Sequence, residues 1–287
     1  MNDRELLDTI RDLIGREETA DDCAALEIGD GDTILVSTTD MLHERTDFPK
    51  GMSEWEMGWM SVAVSLSDVA SCGAQPAQVL VAAGLDREER LRPIMEGAAA
   101  CAKAHGAKVV GGDIDSHTEL TIVTTAFGMV DRAFYCRREG ARCGDVIAVT
   151  GTPGAAQAGL DGYGQYWQNL VRPVPQVAAG QKLARAGATA MMDVSDGLAI
   201  SLYDMSEASG VGFSLREDLP VLPILDGEKY FLYGGGDYGL LCTIPAENVR
   251  EADVPVTVIG EVVEGAGVVW NGRPVEKKGY AHVWGNP

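Results

Sequence analysis

The feature that most constrains this chain is the placement of its aspartates, which stand where apolar segments end. Asp21-Asp22 run into Cys23-Ala24-Ala25-Leu26, and Thr38-Thr39-Asp40 follow the expected strand from Ile34 to Ser37. Asp68 sits inside Ser65-Leu66-Ser67-Asp68-Val69-Ala70, and Asp113 closes Val109-Val110-Gly111-Gly112. Asp193, Ser195 and Asp196 lie in Met192-Asp193-Val194-Ser195-Asp196-Gly197-Leu198. Singly, each has a structural explanation, since Asp and Ser are favoured helix N-caps and Asp populates turns after strands. Together they send carboxylates out of buried elements at five sites. If these converge they cannot coexist bare, because two unit charges about 4 Å apart repel by roughly 4 kcal/mol at an effective dielectric near 20. A divalent cation would relieve that repulsion. An all-oxygen donor set with threonine hydroxyls alongside suits Mg²⁺ rather than zinc or copper.

The elements that carry these residues are legible from patterning. Short β-branched runs predict strands over 33–38, 107–110, 120–130 and 145–150. Leu91, Ile94, Met95, Ala98, Ala102 and His105 recur at helical spacing and predict a helix over 88–105, with Gly106 as its stop. His105 on that apolar face reads as a core residue. A second helix carries Leu198, Leu202 and Met205 and ends at Ser209-Gly210, and a third, of blurred period, covers 54–71. Helices and strands interleave, so the class is mixed α+β and α/β. A length of 287 residues suits two domains. The arginine-rich stretch 131–144 reads as their seam, giving 1–136 and 137–287. Residues 162–175, rich in Gly, aromatic and Pro, read as a long mobile loop.

Charge and composition exclude several functions. A net charge of −20 argues against nucleic acid and anionic membranes as partners, because phosphate would be repelled. The charged start Met1-Asn2-Asp3-Arg4-Glu5 lacks the apolar core of a signal peptide, and no apolar run is long enough to span a bilayer. A cytoplasmic protein is expected. The six cysteines form no C-x-x-C pair and read as core residues or idle thiols rather than a zinc site. Glycines cluster at Gly111-Gly112, Gly151-Thr152-Pro153-Gly154 and Gly234-Gly235-Gly236, where backbone can approach a phosphate. Neither G-x-x-x-x-G-K-[ST] nor a strand-to-helix G-x-G-x-x-G is present, which disfavours a P-loop or a dinucleotide fold.

Seven motifs in this order resemble the thiamine-monophosphate kinase family, in the superfamily of aminoimidazole ribonucleotide synthetase and selenophosphate synthetase. They are Asp21-Asp22-Cys23-Ala24, Ser37-Thr38-Thr39-Asp40-Met41-Leu42, Ser65-Leu66-Ser67-Asp68-Val69-Ala70, Gly111-Gly112-Asp113, Gly151-Thr152-Pro153-Gly154, Asp193-Val194-Ser195-Asp196-Gly197-Leu198 and Gly234-Gly235-Gly236-Asp237-Tyr238. The resemblance implies transfer of the γ-phosphoryl of ATP to thiamine monophosphate. It also implies a homodimer whose N-terminal domain binds ATP and Mg²⁺ and pairs its sheet across the dimer, beside a C-terminal α/β domain. Under it, Asp22, Thr38, Thr39, Asp40, Asp68, Asp113, Asp193 and Asp196 would hold magnesium. Gly112, Asp113, Arg138 and Ser195 would contact ATP, and Asp47, Gly236 and Lys277 fall at substrate positions. The chain departs from the family there: Gly236 and Gly239 replace two glutamates, and Lys277 replaces an aromatic residue before Lys278-Gly279-Tyr280. Trp270 or Trp284 is the candidate replacement stacking surface.

The chemistry matches this inventory. A phosphate monoester has a second pKa of about 6, so the acceptor is mostly dianionic at neutral pH and can attack in line without a general base. Such a reaction needs charge screening and alignment, from carboxylate-held metal ions and an arginine such as Arg138. His43, His105, His117 and His282 receive no catalytic role. Two alternatives stand beside this reading. One is another enzyme of the superfamily that acts through an acyl- or amide-phosphate. The other is a non-catalytic Mg-nucleotide-binding protein. Selenophosphate synthesis is disfavoured, because no early Cys has a nearby Lys.

Overall fold

The computed structural model describes residues 3–282. After helix α1 (Asp3–Ile14), strands β1 (Ala24–Ile28) and β2 (Thr33–His43) lead into α2 (Glu54–Ser71). Then come β3 (Gln75–Leu85), α3 (Leu91–Ala104), β4 (Lys108–Ser116) and β5 (Thr121–Asp131). The second half runs β6 (Val146–Thr150), α4 (Ala155–Leu160), α5 (Trp167–Val171), α6 (Val177–Arg185), β7 (Ala190–Val194) and α7 (Leu198–Ser209). It ends with β8 (Gly212–Leu215), α8 (Gly227–Tyr233), β9 (Gly239–Ile244), β10 (Val256–Val263), β11 (Gly267–Trp270) and β12 (Arg273–Pro274).

Two mixed sheets result. The first has the order β1-β2-β5-β3-β4, antiparallel except for the parallel β3/β4 pair. The second has the order β12-β11-β8-β10-β6-β9-β7. Its central strands are buried on both faces. Leu198, Leu202 and Phe231 of α7 and α8 cover one face, and Val177 and Leu183 of α6 cover the other. Among the described residues no helix is long and apolar enough to cross a membrane.

Helix α2 is the axis of the molecule. It begins at a capping box, with Ser53 Oγ accepting from Glu56 N–H and Glu56 Oε2 accepting from Ser53 N–H. It packs on β2, β5 and α3 on one side and on α6 and β7 on the other. Burial all round explains its blurred period, because a helix enclosed on every side has no polar face to mark. The α2/α3 crossing is set by two glycines. A Cβ at Gly58 would lie 1.9 Å from Ile94 O, and one at Gly97 would lie 1.8 Å from Trp55 O.

The first sheet has one covered and one open face. Along β2, Ile34, Val36 and Leu42 are buried toward α2, and Thr38 and Asp40 share that side by the two-residue period. The other face exposes Leu26, Ile28, Met41, Leu80 and Met129.

Three expectations need correction. Strands β2 and β4 run past the expected ends at 38 and 110, which places Asp40 and Asp113 inside strands rather than after them. Residues 162–175 are not a mobile loop. They hold a 3₁₀ turn (Gly164–Tyr166) and α5, which buries Leu170 and Val171. Trp59 Nε1 donates to Pro173 O at 2.8 Å, and the Arg172 guanidinium lies over the stacked Trp55 and Trp59 rings. Finally, His105 caps α3 half-buried, with its ring at the edge of Trp59 rather than within the core.

Candidate active site

Four chain segments meet around the C-terminal half of α2. Thr38 and Asp40 come from the middle of β2, and Ser65, Ser67 and Asp68 come from α2. Asp193 is the penultimate residue of β7, and Asp22 arrives on the turn before β1. Each carboxylate is held by a hydroxyl or an amide. Thr38 Oγ1 donates to Asp68 Oδ2 at 2.6 Å, Ser65 Oγ to Asp40 Oδ2 at 2.7 Å, and Ser67 Oγ to Asp193 Oδ2 at 2.7 Å. Asp193 N–H donates to Asp22 Oδ2 at 3.2 Å, and Arg138 Nη2 donates to Asp22 Oδ1 at 2.5 Å.

The electrostatics are severe. Burial pushes the Asp68 carboxyl well above its usual range, and Asp40, Asp193 and Asp22 push it further against the Thr38 hydrogen bond. Asp193 is raised in the same way by burial, Asp22, Asp40 and Asp196, against its bond from Ser67. For Asp40, burial outweighs the Ser65 bond. The Arg138 charge is opposed by burial but favoured by Asp22, Asp204 and Asp21, which together raise its pKa.

Among the described residues no three Asp, Glu, His or Cys side chains close on a single point as a finished cation site. The donor set nonetheless fits a hard divalent ion. It is all oxygen, and the mutual repulsion of its carboxylates is what such an ion would relieve. Asp22, Asp40, Asp68 and Asp193, with Thr38, could hold it.

These acids open onto a cavity of about 590 Å³ lined by Asp40, Asp68, Asp193, Ser195 and Asp196. The same cavity is lined by Arg45, Asp47, Phe48 and Lys50, all from the β2–α2 loop. Gly236, Tyr233, Tyr238, Tyr280 and His282 complete the wall, with the Tyr280 and His282 rings packed edge-on at 5.0 Å. Asp47 Oδ2 accepts from His43 N–H and from the Thr46 hydroxyl, both at 2.7 Å. Tyr238 sits at φ 52°, a left-handed conformation uncommon for a non-glycine residue. Burial raises its hydroxyl pKa, and Asp40, Asp193, Asp196 and Asp47 add to the shift.

Several expected site residues lie elsewhere. Thr39 and Asp113 are on the open face of the first sheet. Thr39 Oγ1 pairs with Thr125 Oγ1 at 2.9 Å, and Asp113 shares its register row with Ala82, Val123 and Met41. Alternation along a strand puts neighbours on opposite faces, so neither side chain reaches the acids gathered by α2. Gly112 lines a separate cavity with Asp113, and a Cβ there would lie 1.7 Å from Val81 O, so its glycine is required by strand packing. Lys277 turns away from the acid-lined cavity. Its Nζ pairs with Glu207 at 2.5 Å and lies over the Tyr203 ring, while Gly279 and Tyr280 turn inward. Trp270 lies against a different cavity, and Trp284 is outside the described residues.

Sequence reasoning missed the roles of Ser65 and Ser67. Their signal was present, as two serines in the interior of an apolar helix beside Asp68. Arg45, Lys50, Phe48 and His282 carried no local signal.

Residues 20–130 match the family described as AIR synthase related protein, N-terminal domain, and residues 142–271 match its C-terminal domain. The chain therefore belongs to the AIR synthase related proteins. Within that class its relatives are thiamine-monophosphate kinases. The one from Methanospirillum hungatei is 49% identical and covers 99% of this chain and 100% of its own length. The one from Halobacterium salinarum is 39% identical, covering 98% and 100%. The structure of AaThiL complexed with AMPPCP and TMP superimposes with a TM-score of 0.91 at 29% identity, covering 98% of this chain and 97% of that chain. The chain belongs to the thiamine-monophosphate kinase family.

Proposed function

We propose that this chain transfers the γ-phosphoryl group of ATP to thiamine monophosphate, giving thiamine diphosphate and ADP, by direct in-line displacement assisted by Mg²⁺. The observation that carries this reading is the convergence of Asp22, Asp40, Asp68 and Asp193, the last three lining a cavity that also carries the cationic Arg45 and Lys50 and the aromatic Tyr233, Tyr238 and Tyr280. Bound magnesium would screen the phosphate charges and polarise the transferred group. The chain's own residues do the rest. Ser65, Ser67 and Thr38 fix the carboxylates by hydrogen bonds. Arg138 and Ser195 stand close to them as nucleotide contacts, and Asp196 joins the metal-binding set. Asp47, Arg45 and Lys50 face the acceptor, and the dianionic phosphate needs no base from the protein.

The remaining parts of the reading follow. The division falls at 136/137, between the two sheets. The open face of the first sheet, with Leu26, Met41, Leu80 and Met129 exposed, suits pairing with a second copy in a homodimer. Such pairing would cover Thr39 and give the exposed Asp113 a role the single chain does not explain. The six free cysteines suit a reducing cytoplasm. A second reading, the same chemistry on a different acceptor, is favoured by one observation: Gly236 brings no side chain to the cavity and Lys277 faces away from it.

Incubation with ATP, Mg²⁺ and thiamine monophosphate, with products resolved by chromatography, tests the proposal. Equal amounts of thiamine diphosphate and ADP are expected, and both are lost in Asp40→Asn. ATP binding without thiamine diphosphate would refute the assignment in favour of another acceptor.

A further inference from the structure

Arg90 lies outside the cavity and takes no part in the chemistry, yet it is buried at 4% exposure among acids. Its Nη1 and Nη2 donate to both carboxylate oxygens of Glu44, at 3.0 and 2.8 Å, and Nη1 also donates to Asp86 Oδ1 at 3.0 Å. Its Nε, which makes no hydrogen bond, stands 3.8 Å from Glu54 Oε1 as an ion pair, and Nη2 lies 3.4 Å from Met57 Sδ in the first turn of α2. Glu44 is the residue after β2, and Glu54 is the first residue of α2. The two acids therefore bracket residues 45–53, and one guanidinium reaches both ends of that loop. Residues 45–50 line the acceptor side of the cavity.

We propose that Arg90 is a positioning residue for the acceptor, a clasp that fixes the two ends of the 45–53 loop and so the aim of Asp47 across the cavity. The inference rests on the reading of this loop as the acceptor side. Arginine is required because its planar fork can hold Glu44 through two bonds while reaching Asp86 and Glu54. A lysine ammonium offers one compact charge to the same acids. Asp47 hangs from the last residue of β2, its Oδ2 accepting from His43 N–H and its own N–H donating to His43 O, so what the clasp adds is the tie between that strand end and the start of α2.

The test compares Arg90→Lys and Glu44→Gln with wild type and with Arg92→Gln, a change at an 86%-exposed arginine on the next turn. Each clasp variant is expected to raise KM for thiamine monophosphate roughly tenfold while KM for ATP stays within about twofold. Trypsin cleavage after Arg45 and Lys50 should accelerate in the substrate-free clasp variants and not in Arg92→Gln. An unchanged KM for thiamine monophosphate in folded variants, or equal rises in both KM values, would overturn the inference. If Arg90→Lys fails to fold, Glu44→Gln decides, since it leaves the Asp86 bond in place. A wild-type chain that makes no thiamine diphosphate would instead refute the proposed function. The trypsin profile would then decide alone whether Arg90 holds the loop.

Discussion

Replacing Gly97 by alanine tests whether the α2/α3 crossing really sets the position of the acidic site. The added Cβ would lie 1.8 Å from Trp55 O, whereas ordinary contact begins at 3.4 Å, so the helices would have to part by about 1.6 Å. Two effects oppose each other. Alanine gains about 1 kcal/mol of helix propensity over glycine. Overpacking a close-packed core costs about 1–3 kcal/mol, and here the obstacle is backbone of the facing helix, which cannot rotate away. Parting the helices also loosens Ile94, Ala98 and Cys101, all fully buried at the same seam. A gap of about 1 Å already forfeits up to roughly half of each dispersion contact. The steric cost wins, and a net loss of about 2 kcal/mol or more is expected. Urea denaturation reads it, with Gly164→Ala as control, because a Cβ at Gly164 meets nothing within 4 Å. The same variant should lose activity, since α2 carries Ser65, Ser67 and Asp68. A Gly97→Ala chain within about 0.5 kcal/mol of wild type, the range of ordinary surface changes, would refute the reasoning.

Three further outcomes are expected. Burial lifts the Asp237 carboxyl to about 7 despite backbone N–H donors from Ala156, Gly154 and Ala155. The native state then binds the extra proton, so stability is full below the unfolded value of 3.8 and falls as pH rises toward 7. Asp237→Asn should flatten that slope in denaturation curves taken across the interval, and an unaltered slope would contradict the assignment. Ser67→Ala removes a 2.7 Å bond to the buried Asp193 and should cost about 1.5–3 kcal/mol near neutral pH; a loss well below 1 kcal/mol would mean that Asp193 is satisfied in another way. Magnesium should raise the midpoint of thermal unfolding in a concentration-dependent manner that chelator reverses, and Asp68→Asn should blunt the rise. A wild-type midpoint indifferent to magnesium would count against the cation-binding reading.

Some of this was legible along the chain because it is local. Gly106 marked the end of α3, and Ser209-Gly210 marked the end of α7. The acids at 22, 40, 68 and 193 could be picked out because each interrupts an apolar run. Their misplaced companions show where local reading fails. Ending a strand at Thr38 makes Thr38, Thr39 and Asp40 look like one polar turn. A strand continuing to His43 sends Thr39 to the opposite face, and likewise Asp113 in β4. Strand length depends on a neighbouring strand supplying hydrogen bonds, and β5 pairs with β2 as far as His43. No window of sequence contains that partner. The 162–175 segment misled for the same reason, since its order comes from Trp55 and Trp59 more than a hundred positions earlier.

The sequence by itself determined the chemical inventory: oxygen donors without a zinc or P-loop signature, a strongly acidic charge balance, and helices with readable ends. Only the tertiary structure decided which carboxylates share a face, that Ser65 and Ser67 hold Asp40 and Asp193, and that Arg90 ties Glu44 to the start of α2. The physical reason is range. Capping and periodicity act over a few residues, whereas the pKa shifts at Asp68 and Asp193 arise from charges brought together across the fold in a buried site. A residue's identity is written in the chain, but the field it experiences is set by its neighbours in space.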